Sequence, residues 1–507
     1  MNSGPPIALA GGGVRIADVV RVARDGVEVS VTEDARARVT KARAVVDSLA
    51  ASDTPFYGVN SALGANTGKT IPQAERNSYQ LRAVRARAVG IGPRHPRDVV
   101  RAAMFVRAAG MACGGSGVSP AVLQMLVELL NAGVHPVVPS RGSIGVADLA
   151  PLSHIALVLV GEGQAELGGN VMPGSDALTR AGLAPVMLGP KDGLALISAN
   201  AATVGHAALV LHDCARALDA LNVAAALSFE GYRANLSPLD PRVQAARPAR
   251  GQRAIAGRLV ALLDGSSLWR HGAPRRMQDP LSYRCVTQVH GATLAALHTA
   301  AEDVEMELTS AADSPLVLPE TNEMLSNGNF HLPGLALAFD SLGLALSHCA
   351  TLCVARCQRM YSPSFSELPL QLTSRGPEHS GFATIQKTLT ALANEIRHLA
   401  NPASLDAMPV SEAFEDHAPM AANVVAKTAR AVPLLRDLAA IELLTAAQAT
   451  DLRPVAIDEL GSGTREAYEF VRARVAMLDE DRSLGPDIER IAAAIDELPL
   501  TDLLAVE

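Results

Sequence analysis

The chain has 507 residues, 49% of them hydrophobic and 19% charged, so it can bury a sizeable core and by length alone fill about two to four domain-sized units. A net charge of -8 without a long basic run argues against nucleic acid as a partner. Six cysteines and no CxxC pair argue against a disulfide framework and for reduced thiols in a cytoplasm.

The start, MNSGPPIALAGGG, has neither a basic segment nor a proper apolar core, so no secretory signal is expected. Residues 31 to 50 have a helical period, and residues 53 to 72 are Gly/Asn-rich and aperiodic, which predicts a loop. Helical patterning returns near 74 to 89, 97 to 109 and 119 to 132, followed by a Gly/Pro-punctuated loop. Residues 191 to 228 read as one unusually long helix, and further long helices are predicted over 283 to 308, 333 to 360, 378 to 400 and 420 to 450. Shorter, more charged helices are predicted over 465 to 499. Aromatics are only 3% and small or straight-chain residues dominate, favouring close-packed helices over sheets. The expected fold class is therefore all-α, with several long helices forming a central bundle. One junction is placed near 185 to 193, separating an N-terminal helical domain, 1–190, from the bundle and C-terminal helices, 191–507. The apolar run 332 to 357 is broken by Asp340, His348 and Arg356, so it predicts a helix buried in protein, with no membrane partner. Cys349, Cys353 and Cys357 share one face of that helix. A single helix rarely supplies a closed ligand set, so packing thiols are expected and no metal.

Five more stretches could carry chemistry, each with a plainer alternative. In PFYGVNSALG, Tyr57 sits in a loop that Gly58 and Asn60 can bend tightly; such a tyrosine can approach a substrate and act as a base, or merely pack in a turn. In MQDPLSYRCVTQVHG, Gln278 and Arg284 flank a turn. The arginine fork suits a carboxylate, and a surface arginine is the alternative. In LSNGNFHLP, the backbone donors around Asn327 and Asn329 could face a ligand and Phe330 could wall a ring, or the stretch is a plain loop. In SEAFEDHAPM, Glu415 could hold an imidazole, or the acids only complement a helix N-terminus. Lys387 is the one charge between Gly381 and Asn394, so it either snorkels to solvent or enters a polar cavity. Apart from these stands the loop RGSIGVADLAPLSH, residues 141 to 154.

In this order and spacing, YGVNSALG, GSIGVADLAPLSH, KDGLALISAN, MQDPLSYRCVTQVHG, NGNFH, EDHAPM and AAQATDLR resemble the aromatic amino acid lyases, the histidine and phenylalanine ammonia-lyase family, over nearly the whole chain. The resemblance implies a fumarase/aspartase-like helical fold, and a homotetramer whose active sites each draw on three subunits. It implies removal of ammonia from an α-amino acid by a methylidene-imidazolone electrophile, made from an Ala-Ser-Gly triplet lying between GSxG and DLxPL. Here only Val146 and Ala147 lie between Gly145 and Asp148, and Ser143 belongs to the flanking motif. The prosthetic group is therefore expected not to form, leaving no cofactor.

The pocket departs in other places. Arg87 stands where the family has a histidine and Ser198 where it has an asparagine, with Asn200 nearby. Leu281 replaces a tyrosine, while Tyr283 appears two residues later. Tyr57, the family's proton-abstracting residue, is kept, as are Gln278, the carboxylate clamp Arg284, Phe330 and Glu415. That combination implies elimination of an amine that leaves without covalent capture, such as a trimethylammonium group. The expected substrate is ergothioneine, the betaine of 2-thiohistidine, giving trimethylamine and thiourocanate. Tyr57, Lys387 and Glu415 are the expected catalytic residues, and Asn60, Arg87, Ser198, Gln278, Arg284, Asn329 and Phe330 the expected substrate-binding ones. Another betaine such as hercynine, an ordinary ammonia-lyase reaction on histidine, or an inactive binding homologue are the alternatives.

Overall fold

The computed structural model describes residues 4–52, 54–405 and 408–506. Helices dominate, and among the described residues the few strands form three two-stranded ribbons and one three-stranded sheet. Two compact units divide the chain. The first comprises Met1–His212, Ala301–Leu337 and Pro402–Val425, the second Asp213–Ala300, Ala338–Asn401 and Ala426–Glu507. Both are discontinuous in sequence, where composition pointed to one junction near 190. Four of the five boundaries fall inside long helices, Ala201–Tyr232, Val286–Leu308, Pro333–Met360 and Ala421–Asp451, whose uninterrupted periodicity hides them from a sequence reading; the fifth, Asn401/Pro402, follows the helix Ile385–Leu399.

In the first unit, helix Glu33–Ala50 starts where Thr32 Oγ1 accepts the amide of Ala35 at 3.2 Å, with Glu33 and Asp34 in the first turn. Its stripe Ala35, Val39, Ala42, Val46 is buried. Helix Pro120–Asn131 opens on a proline, whose missing N–H costs nothing at that position. It ends on Asn131, whose amide pairs with both backbone groups of Val29 at 2.9 and 2.8 Å, in the manner of a strand neighbour. Helix Arg97–Ala112 is buried almost all round, and its two internal arginines are satisfied. Arg101 donates to the carbonyls of Val22 and Leu130, and Arg107 forms a fork with Asp313.

The predicted loop is irregular over 54–72 apart from the short turn Gly64–Asn66; Asp53, its first residue, lies outside the described residues. The helix expected over 191 to 228 is two, Asp192–Ile197 and Ala201–Tyr232. The break at 198–200 is held from outside. Asp148 N donates to Ala199 O at 2.8 Å, and the Asp148 carboxylate accepts Thr203 N and Oγ1, each at 2.7 Å, capping the second helix from another segment. Local periodicity cannot reveal a cap supplied fifty residues away.

The apolar stretch Pro333–Met360 matches its predicted span, and two charges in its second-unit part are paired. Asp340 bonds Lys427, and Arg356 makes a two-point pair with Glu442 at 2.5 and 2.8 Å. Asp192–Tyr232 and Pro333–Met360 are both long and apolar enough to cross a membrane, but 89% and 56% of their apolar windows are buried in protein, as in core helices. Cys349, Cys353 and Cys357 are buried beside Arg356 as packing thiols, and among the described residues no group of three ligands could hold a metal. Helix Ile385–Leu399 begins seven residues later than expected, because 381–384 is a turn that precedes it.

Candidate active site

A cleft of about 850 Å³ opens in the first unit. Its wall begins with the Tyr57 loop. Gly58, at φ +72°, turns the chain so closely over the helix Asp192–Ile197 that an added Cβ would lie 2.3 Å from Leu194 Cδ2. This brings the Tyr57 ring against Leu63, Ala83 and Leu194, where its hydroxyl accepts Gly64 N at 3.0 Å and the ring borders the cleft. Tyr79 braces the same turn by accepting Leu63 N at 2.9 Å. Gly58→Ala is expected to destabilise this loop by roughly 1–3 kcal/mol, since strain at positive φ adds to the clash. Urea unfolding of the variant reads the cost, and an unchanged midpoint would mean the turn is not formed as described.

Asn60 serves this loop and does not border the cleft. Its side chain is buried, accepts Phe56 N at 2.6 Å, and donates to Ser52 O and Thr54 O at 3.1 and 2.9 Å. With three of its bonds used internally it holds Tyr57 in place and has little left for a substrate.

The floor is the 143–149 loop. Ser143 Oγ donates to Asp148 at 2.6 Å and accepts Gly145 N at 3.1 Å. Asp148 is fully buried. Burial raises its carboxyl above the ordinary range, opposed by the bonds from Ser143, Thr203 and Ala202. Gly145 lies so near Ala421 that a Cβ would meet its nitrogen at 2.8 Å. Beyond that turn, Val146 and Ala147 face the cleft.

Four more expected residues converge here. Arg87 borders the cleft and donates to Ala83 O at 3.0 Å, with no carboxylate partner among the described residues. Ser198 sits at the broken helix end. Phe330 is held by Asn200, whose amide donates to its carbonyl. Glu415 accepts Ser411 Oγ at 3.0 Å and, among the described residues, is the one carboxylate bordering the cleft. Asn329 is exposed and does not border the cleft; its backbone N–H donates to Asn327 Oδ1 at 2.9 Å, and Asn327 borders the cleft in its place. Phe414, 65% exposed, also borders it. Sequence reasoning passed over this aromatic, although its place beside Glu415 was the available signal.

Gln278, Arg284 and Lys387 belong to the second unit and do not border this cleft. Gln278 is exposed, and Arg284 is half-buried with its Nε unpartnered. Lys387 borders a separate cleft of about 650 Å³, with Gln358, Gln386 and Asn394. Tyr283 does not replace the missing tyrosine. It is buried in the core of that unit, stacked on Tyr232 at 3.9 Å, with its hydroxyl donating to Arg356 O.

The sequence matches the aromatic amino acid lyase family over residues 14–473. It is 39% identical to a histidine ammonia-lyase of Treponema denticola over 501 residues, 98% of each chain. It is 36% identical to a histidine ammonia-lyase of Alkaliphilus metalliredigens over 498 residues, again 98% of each. Among solved structures, ergothionase from Treponema denticola, in complex with desmethyl-ergothioneine sulfonic acid, superposes with a TM-score of 0.94 at 33% identity, covering 98% of this chain and 99% of that one. Histidine ammonia-lyase from Trypanosoma cruzi gives 0.90 at 29% identity, covering 98% and 95%. With nearly the whole length matched in sequence and in fold, the chain belongs to the aromatic amino acid lyase family, carbon–nitrogen lyases on the fumarase/aspartase-like helical fold.

Proposed function

We propose that this lyase eliminates trimethylamine from ergothioneine, giving thiourocanate, and that it does so without a methylidene-imidazolone. The observation that carries the reading is the floor of the cleft. Where the electrophile would stand there are two aliphatic residues, Val146 and Ala147, and the neighbouring Ser143 is committed to Asp148 and Gly145. These residues do not fit the group: no serine is free to lose water and no glycine amide follows to close the ring. Similarity to the ergothionase structure supports the same reading.

The chemistry balances without an added electrophile. Tyr57, entering the step as its phenolate, accepts the β-proton and becomes the phenol, the C–H pair becomes the double bond, and the C–N pair leaves with nitrogen as neutral trimethylamine. Glu415 orients the imidazole from within the cleft. Phe330 and Arg87 contact the substrate there, and Ser198 lines the same wall. Gln278, Arg284 and Lys387 join this cleft from other subunits of a homotetramer. Arg284 clamps the carboxylate and Lys387 steadies charge moving onto the thioimidazole.

A second reading, ammonia release from histidine, is favoured by the histidine ammonia-lyase relatives at 36–39% identity. Incubating the purified protein with ergothioneine, hercynine and histidine, followed by ultraviolet absorbance and mass spectrometry, separates the two. Trimethylamine and thiourocanate from ergothioneine are expected, together with an intact protein mass that shows no loss of water. Ammonia and urocanate from histidine overturn the proposal, trimethylamine from hercynine alone reassigns the betaine, and no turnover of any of the three favours a binding homologue.

A further inference from the structure

Two histidines beside the cleft are unused by this reaction. His331 Nε2 and His417 Nδ1 lie 2.8 Å apart, with the rings edge to face at 5.0 Å. Each follows closely on a residue that borders the cleft, Phe330 before His331 and Glu415 two residues before His417. Both segments also grip the floor loop. His331 forms an antiparallel bridge with Val146, and Met420 N donates to Ile144 O at 3.0 Å. The bond between the imidazoles closes a ring that runs through Val146, His331, His417, Met420 and Ile144. Between Ile144 and Val146 lies Gly145, where an added Cβ would come within 2.8 Å of Ala421 N, so that no side chain fits. Burial, then His417, lowers the pKa of His331, consistent with a bond in which one ring donates a single proton to the other.

We propose that His331 and His417 are positioning residues, a clamp that fixes the 144–147 floor and, through it, the placement of Phe330 and Glu415 around the substrate ring. The clamp does no proton transfer to substrate. It works through a hydrogen bond, so any side chain offering a polar atom at the same point can serve. The amide of asparagine reaches the position of a histidine Nδ1, and that of glutamine the position of Nε2.

The test compares His417→Ala with His417→Asn, and His331→Ala with His331→Gln, in the full-length protein. Hydrogen–deuterium exchange of the 142–147 and 411–420 amides is read without substrate. On the order of tenfold faster exchange is expected in the alanine variants, less than about threefold in the amide variants, and none in helix Glu33–Ala50. The activity comparison rests on the lyase function proposed for this cleft. There KM is expected to rise about tenfold in His417→Ala with a smaller change in kcat, and the double alanine variant to lose no more than either single one. Exchange at the wild-type rate in His417→Ala, or amide variants as impaired as alanine ones, overturns the clamp. A wild-type protein that turns over none of the three substrates removes the lyase proposal and leaves exchange to decide the clamp. Should one alanine variant fail to fold, the other histidine's pair of variants makes the same comparison.

Discussion

Tyr57→Phe is expected to lower kcat by about 10³-fold, the scale of losing a positioned general base. The substitution removes one oxygen and keeps the ring that packs on Leu63, Ala83 and Leu194. Its structural cost is confined to Gly64 N, which loses its acceptor at 3.0 Å, a matter of about 1 kcal/mol. Fold and activity should therefore separate: the thermal midpoint moves by a few degrees while turnover collapses. The readout is the initial rate of the conjugated acid's absorbance, beside a thermal melt. Turnover within tenfold of wild type would assign the base elsewhere. A protein that only binds its ligand would keep its affinity, so ligand titration of the same variant separates an enzyme from an inactive homologue.

Removing one partner of Arg356 and Glu442 is expected to give the largest loss of stability. Both side chains are 0% exposed, and they meet through two parallel bonds at 2.5 and 2.8 Å, with Ser228 donating to Glu442 at 2.8 Å. Burial pulls the Arg356 guanidinium down, yet Glu442 holds it above its ordinary value, so it stays charged. Glu442→Ala leaves that charge buried and unpaired, at a cost of about 3–5 kcal/mol. Replacing both, as in Arg356→Met with Glu442→Leu, recovers most of it, because neither ion then has to be desolvated. Urea unfolding of the three variants is the check. A loss under 1 kcal/mol in Glu442→Ala would mean that water reaches the pair.

The long helices were legible because their signal is local. Pro333–Met360 matches its predicted span, and the expected 420 to 450 helix is shifted by a single residue at each end. The break at Ser198 was not legible, since Asp148 supplies its cap from a distant segment. Nor were the short ribbons such as Leu316–Leu318 with Glu323–Leu325, each too brief to show an alternating pattern. Tyr57, Arg87, Ser198, Phe330 and Glu415 do meet at one cleft. Their spacing resembled a family, and nothing else in the sequence would have joined them. Asn60 and Asn329 do not border that cleft: the Asn60 side chain and the Asn329 backbone donor are both bonded within their own loops. Gln278, Arg284 and Lys387 sit in the second unit. Under the proposed tetramer their meeting with Tyr57 belongs to assembly, which no single chain displays.

The discontinuity of the two units bears on how the protein can be made and handled. The first unit cannot close until Asp213–Ala300 and Ala338–Asn401 have been synthesised, because its last segment, Pro402–Val425, follows both. Its contacts therefore join parts of the chain far apart in sequence, which slows folding and prolongs the exposure of apolar helices to aggregation. No single cut yields either unit whole. Truncation is thus a poor route to a smaller active fragment, and soluble expression should respond more to slower synthesis and chaperone supply than to trimming the ends.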